Sequence, residues 1–107
     1  MITQSCPSYP VSIFMAGDYN VARELCREYC DETGFCVTLT PTSYIYTGGE
    51  ELGFIVGLIN YPRFPTTPAD IANRAAALAD RLRVGLGQES YTIQLPDTAI
   101  WHSWRAA

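Results

Sequence analysis

Apolar residues fall along the chain in two kinds of run. "VSIFMAG", Val11 to Gly17, is apolar with too few polar positions for an exposed strand, which predicts a central strand buried on both faces. Gly17 then turns the chain and Asp18 can cap a helix. From about Tyr19 to Thr33 the period changes to three and four, with Ala22, Leu25, Cys26, Tyr29 and Cys30 on one stripe. Gly34 suits the left-handed stop. Phe35 to Thr47 alternates and is rich in β-branched and aromatic residues, so it reads as a strand. Pro41 cannot donate to a ladder, which puts that strand at an edge or breaks it.

"GGEE" turns the chain again, and Leu52 to Asn60 is a second nearly unbroken apolar strand. Gly53 and Gly57 inside it point to a bulge or to a close approach of helix to sheet. The second helix has the clearest boundaries. Thr67 caps it, Pro68 suits its first position, Asp70 gives a capping-box-like start, and Gly87 ends it. Ile71, Ala75, Leu78, Leu82 and Leu86 form its apolar face. "SYTIQL" places Tyr91, Ile93 and Leu95 on one side of a strand that Pro96 closes. The tail "DTAIWHSWRAA" is either a short fifth strand or an extended arm.

The order β-α-β-β-α-β predicts a ferredoxin-like α+β sandwich, an antiparallel sheet with two helices on one face and a short C-terminal extension. That topology makes the strands starting at Val11 and Leu52 the inner pair, and they are the two most continuously apolar strands. Residues 1–107 are expected to form a single domain, with 1–10 an irregular lead-in and 97–107 a C-terminal arm. The uncovered sheet face is a usual place for a ligand, a partner or a second copy.

Composition narrows the function. A net charge of −4 does not favour duplex nucleic acid, whose binding rests on neutralising phosphates. All seven basic residues are arginine, which compositional bias explains better than a recognition role. No apolar run reaches the length of a membrane helix, and "MITQSCPSYP" lacks the basic and apolar regions of a signal peptide. The expectation is a cytoplasmic protein with no membrane partner. In that compartment Cys6, Cys26, Cys30 and Cys36 are thiols. A zinc site from three of them with Cys6 or His102 would lack the paired knuckles of structural zinc sites, so they read as packing residues, and no metal or cofactor is expected.

Catalytic candidates are few. His102 is the sole histidine, set between tryptophans in the tail, and no nucleophile motif adjoins it. Glu50 and Glu51 read as a solvated hairpin tip, and "AGDYN" as a helix cap in preference to a phosphate site. "NYPRFPTTP" has two readings. It is a stiff clamp in which Tyr61 and Phe64 stack on a ligand while Arg63 holds a phosphate, or it is a rigid crossover that finishes the core. Trp101 and Trp104 must dock either on their own domain or on another subunit, and with an open sheet edge they favour a homo-oligomer. Trp101, His102 and Trp104 then build a subunit interface or pocket rim.

"IFMAGDYNVARELCREYC", "SYIYTGGEE" and "VGLINYPRFP" resemble the small accessory proteins of tailed phages and prophages over most of the chain. The resemblance implies a counter-defence role. Together the observations favour a non-enzymatic oligomer that sequesters a nucleotide-type immune signal. One alternative is an inhibitor that binds a host defence protein through the sheet edge and the tryptophan tail. The other is a small nuclease acting on signalling nucleotides, with His102 as acid or base.

Overall fold

A computed structural model describes residues 1–105. The elements are β1 (Val11–Ala16), α1 (Tyr19–Thr33), β2 (Thr38–Tyr46), β3 (Gly49–Leu58), α2 (Pro68–Leu86), β4 (Ser90–Gln94) and β5 (Ala99–Ser103). The sheet order is β2-β3-β1-β4-β5 and every pairing is antiparallel. This is the ferredoxin-like arrangement with a fifth strand added beside β4. β1 and β3 are the inner pair, in register from Val11 opposite Leu58 to Ala16 opposite Gly53.

The helix ends follow local chemistry. The Asp18 carboxylate accepts from the Val21 amide at 3.0 Å, and Gly34 (φ 70°) closes α1 by donating to the Cys30 carbonyl. In α2 the Thr67 hydroxyl accepts from the Asp70 amide at 3.1 Å, Pro68 opens the helix, and Gly87 (φ 67°) ends it. Asp70 does not complete a capping box. Its carboxylate accepts from Thr66 Oγ1 at 2.9 Å and Arg74 Nε at 2.8 Å, because the next turn offers a charged partner.

Both helices lie on one face. Alternate residues of the inner strands, Ile13, Met15, Phe54, Val56 and Leu58, are buried there against Ala22 and Cys26 of α1 and Ile71, Leu78 and Leu82 of α2. The inner strands are therefore covered on one side only, and Ser12, Phe14 and Ala16 remain half-buried on the other. This differs from the two-sided burial expected of β1, since two helices of this length shield a single face.

β3 begins at Gly49, earlier than its apolar run implies. Residues 49–52 pair with 43–46 but have no β1 neighbour, so the β2–β3 hairpin extends past the sheet as a two-stranded arm. Ile45 and Leu52 on this arm are 78% and 75% exposed. Gly53 and Gly57 sit on the uncovered face, away from the helices, so neither serves helix packing. Gly57 makes room for the Thr38 side chain, and the ring of Tyr44 lies across Gly53. The tail forms β5 through Ser103; residues 106–107 of the expected arm lie outside the described residues.

Candidate functional site

The strand period places chemistry on the uncovered face. In β2, β3, β1, β4 and β5 the residues pointing there include Tyr44 and Tyr46, Glu51, Phe14, Thr92 and Trp101. They enclose a trough of about 260 Å³ at the Ala16 end of β1. Phe14, Ala16 and Thr92 form its floor, Tyr44, Tyr46 and Glu51 one wall, and Trp101 the other, with Gln88, Ser90 and Arg105 at the end.

Glycine fixes both tyrosine rings. Tyr44 crosses Gly53 and its hydroxyl donates to the Phe54 carbonyl at 2.6 Å. Burial pushes the Tyr44 phenol above its usual pKa. Tyr46 lies over Gly49, where a Cβ would stand 2.5 Å from the ring. Its hydroxyl donates to Glu51 Oε1 at 3.0 Å, and that bond to a carboxylate, more than burial, raises the Tyr46 pKa. Arg105 Nε donates to Glu89 Oε2 at 3.0 Å, so the arginine at the end of the trough is already paired. Glu51 has no cationic partner among the described residues. The arrangement offers π-faces for a flat or cationic ligand and one carboxylate of uncompensated charge.

The residues singled out from the sequence divide into separate places. Tyr61, Arg63 and Phe64 follow β3 at the Val11 end of β1, opposite the trough. Buried Asn60 anchors their loop, with Nδ2 donating to the Pro7 carbonyl and Oδ1 accepting from the Thr66 amide, both at 2.8 Å. The Tyr61 ring packs between Phe35 (6.4 Å) and Phe64 (5.9 Å), and Arg74 lies 4.6 Å over Phe35. A hydrogen bond with Cys36, then burial, pushes the Tyr61 phenol up to about 12. Phe64 and Arg63 are exposed.

Strand alternation also separates the tail residues. Trp101, opposite Thr92, is on the uncovered face and 62% exposed. His102 is on the helix face with its ring 5.3 Å from Tyr91, and Trp104 lies 5.7 Å from the same ring. Among the cysteines, Cys26 is buried and its thiol is pushed up to about 11 by burial. Among the described residues no group of three or more metal-ligating side chains is placed to hold a metal, and no helix is long and apolar enough to cross a membrane.

Tyr44, Tyr46 and Glu51 carry most of one wall; the sequence reading passed over the two tyrosines and set Glu51 aside as part of a hairpin tip. The available signal was the alternation in "SYIYTGGEE". The turn is Thr47–Gly48, so Glu51 is solvent-exposed as expected but is a strand residue directly opposite Tyr44, beyond the tip.

An open-faced ferredoxin-like sandwich with an aromatic trough is the class that fold and site define. Two solved structures share the fold. A phage SAM lyase in complex with S-methyl-5'-thioadenosine has a TM-score of 0.64 and 14% identity, covering 96% of this chain and 95% of that one. A phage SAM lyase in its apo state has a TM-score of 0.63 and 17% identity, covering 89% and 88%. No protein-family model matches the chain, and neither does any curated protein. At this identity the likeness establishes the fold, and the phage origin of both structures agrees with the class-level resemblance in the sequence.

The likeness overturns one expectation. The sequence favoured a non-enzymatic protein sequestering a nucleotide-type signal, with a host-protein inhibitor or a small nuclease as alternatives. Both structural neighbours are lyases. The case against an enzyme rested on the scarcity of paired nucleophile and base residues. Elimination and internal displacement need no such pair, so that scarcity does not exclude catalysis on this fold.

Proposed function

We propose that the chain is a lyase that cleaves S-adenosylmethionine (SAM), or a closely related nucleoside sulfonium, in the trough. The observation that carries this reading is an aromatic trough with one uncompensated carboxylate, on a fold whose solved neighbour holds S-methyl-5'-thioadenosine. SAM is a net cation at neutral pH, so the field of Glu51 attracts it. The rings of Tyr44, Tyr46 and Trp101 take the adenine by stacking and the sulfonium by cation–π attraction. Tyr46 holds the Glu51 carboxylate in place.

The chemistry needs little from the protein. S-Methyl-5'-thioadenosine is what remains when the bond from sulfur to the amino-acid arm breaks and its electron pair stays on sulfur. The arm's own carboxylate attacks the departing carbon and closes a five-membered lactone. Neither water nor an added base enters the balance. Positive sulfur and negative carboxylate neutralise each other along this path. A second copy closing the open trough would withhold solvation from the separated charges and so favour the transition state. In this reading the Tyr61–Phe64 loop and Arg63 are scaffold. A second copy of the chain covers the open face, as the exposure of Trp101 there suggests.

The test is formation of S-methyl-5'-thioadenosine from SAM by the purified chain, followed by liquid chromatography with mass detection against a protein-free control. Glu51→Gln and Trp101→Ala are each expected to lower kcat/KM by about tenfold or more, the worth of one charged or aromatic contact. Product no faster than the control refutes the lyase. Full activity in both variants, with loss in Arg63→Ala, moves the site to the other end of the sheet.

A further inference from the structure

β5 is poorly anchored for a strand that carries a wall of the trough. Ala99, Ile100, Trp101 and His102 are all exposed. An edge strand with so little apolar burial belongs to the least stable part of a fold. What it does have lies on the helix face. Trp104 and His102 stack on buried Tyr91, and Arg83 from the last turn of α2 places its guanidinium carbon 3.8 Å from the Trp104 ring centroid. Asp80 Oδ1 accepts from Arg83 Nη2 at 3.3 Å. Arg83 Nε, in contrast, is buried with no hydrogen-bond partner among the described residues.

A buried guanidinium N–H left unpaired is rare in folded proteins and calls for a reason. The Trp104 ring supplies one, because an aromatic face attracts a desolvated cation more strongly than a hydrated one. The Trp104 amide also donates to the Glu89 carbonyl at 2.7 Å, which ties the end of β5 to the start of β4. We propose that Arg83 and Trp104 form a latch on the helix face that positions Trp101 on the opposite face. The two are positioning residues for the trough. Side chains alternate along a strand, so a β5 that keeps His102 against Tyr91 must keep Trp101 beside Thr92. A slip of one residue would turn Trp101 away from the trough altogether.

The kinetic arm of this inference rests on the lyase reading; the structural arm does not. Arg83→Met keeps the apolar stem and removes the cation, and Arg83→Lys keeps a cation. Amide hydrogen exchange on the full chain is expected to quicken about tenfold at Ile100 to Ser103 in Arg83→Met, with Phe54 and Val56 unchanged and most of the protection restored by Arg83→Lys. With SAM as substrate, Arg83→Met is expected to raise KM about tenfold and to alter kcat less than about twofold, as for lost ground-state binding. Unchanged exchange in β5 overturns the latch, and so does equal acceleration throughout the sheet. Faster exchange in β5 with unaltered KM overturns its role in placing Trp101. Where the wild-type chain forms no S-methyl-5'-thioadenosine, the lyase reading fails and the exchange pattern alone decides the latch.

Discussion

Adding one methyl group to β3 tests the geometry of the uncovered face at two places with opposite expectations. A Cβ at residue 53 would run into the Met15 carbonyl oxygen, stand 2.8 Å from the Ala16 Cα and 2.5 Å from Tyr44 Cε2. The first two belong to the β1 backbone and cannot yield without parting the inner strands. The third belongs to a ring whose hydroxyl is bonded to the Phe54 carbonyl. Overpacking of this kind costs about 1–3 kcal/mol. Losing the Tyr44 hydrogen bond adds about 1 kcal/mol, and the entropy advantage of alanine over glycine returns about 0.5–1 kcal/mol. Gly53→Ala should therefore lose about 1–3 kcal/mol net. At Gly57 the close neighbour is the Thr38 hydroxyl, with Thr38 Cβ at 3.7 Å. That side chain is exposed on an edge strand and can rotate, so Gly57→Ala should stay within about 0.5 kcal/mol of wild type. Urea unfolding followed by far-UV circular dichroism reads the difference. With a slope of about 1–1.5 kcal/mol/M, the Gly53→Ala midpoint falls by about 0.7–3 M and the Gly57→Ala midpoint by less than about 0.5 M. Equal midpoints for the two variants would refute the close approach at Gly53 and the seating of Tyr44 that depends on it.

Two further outcomes follow from buried groups at other points of the fold. Asn60→Ala removes both bonds that tie the lead-in to the α2 cap, leaving the Pro7 carbonyl and the Thr66 amide unpaired; a loss of about 2–3 kcal/mol is expected, with faster proteolysis before Val11, and wild-type protease resistance would count against it. The Cys26 thiol titrates near 11 when folded against an ordinary value of 9.0, so the folded state holds the proton more tightly. Stability is then full below about pH 9 and declines as pH rises towards 11. The urea midpoint should fall between pH 8 and pH 10.5, less steeply in Cys26→Ala, and identical pH profiles for the two proteins would rule out the thiol as a contributor.

The legible parts of the fold are those where neighbours in sequence settle the structure. The capping of α2 by Thr67, Pro68 and Gly87 depends on backbone groups within one turn of each residue. The inner pair was readable because the helix-facing residues of β1 and β3 outnumber the polar ones. The trough was harder to read. Tyr44 and Trp101 are 57 residues apart along the chain, and their facing walls meet only through the shared floor of β1 and β4. Glu51 looked like a turn residue because sequence does not state where a hairpin reverses. Pairing with Tyr44 moved it into the strand.

Residue pattern alone determined the element order through β4, the helix ends and, for the alternating strands β2 and β4, which side meets the helices, since all of these follow from period, capping and backbone freedom within a few residues. Tertiary structure decided three things that no local rule contains. It put the aromatic loop of Tyr61 and the tryptophan tail at opposite ends of the sheet. It split Trp101 from His102 and Trp104 across the two faces. It set Glu51 beside Tyr46 with no cationic partner among the described residues. The physical reason is common to all three: strand neighbours in a split β-α-β sheet are distant in sequence, so the facing of side chains across them is fixed by register and twist and not by the order of residues.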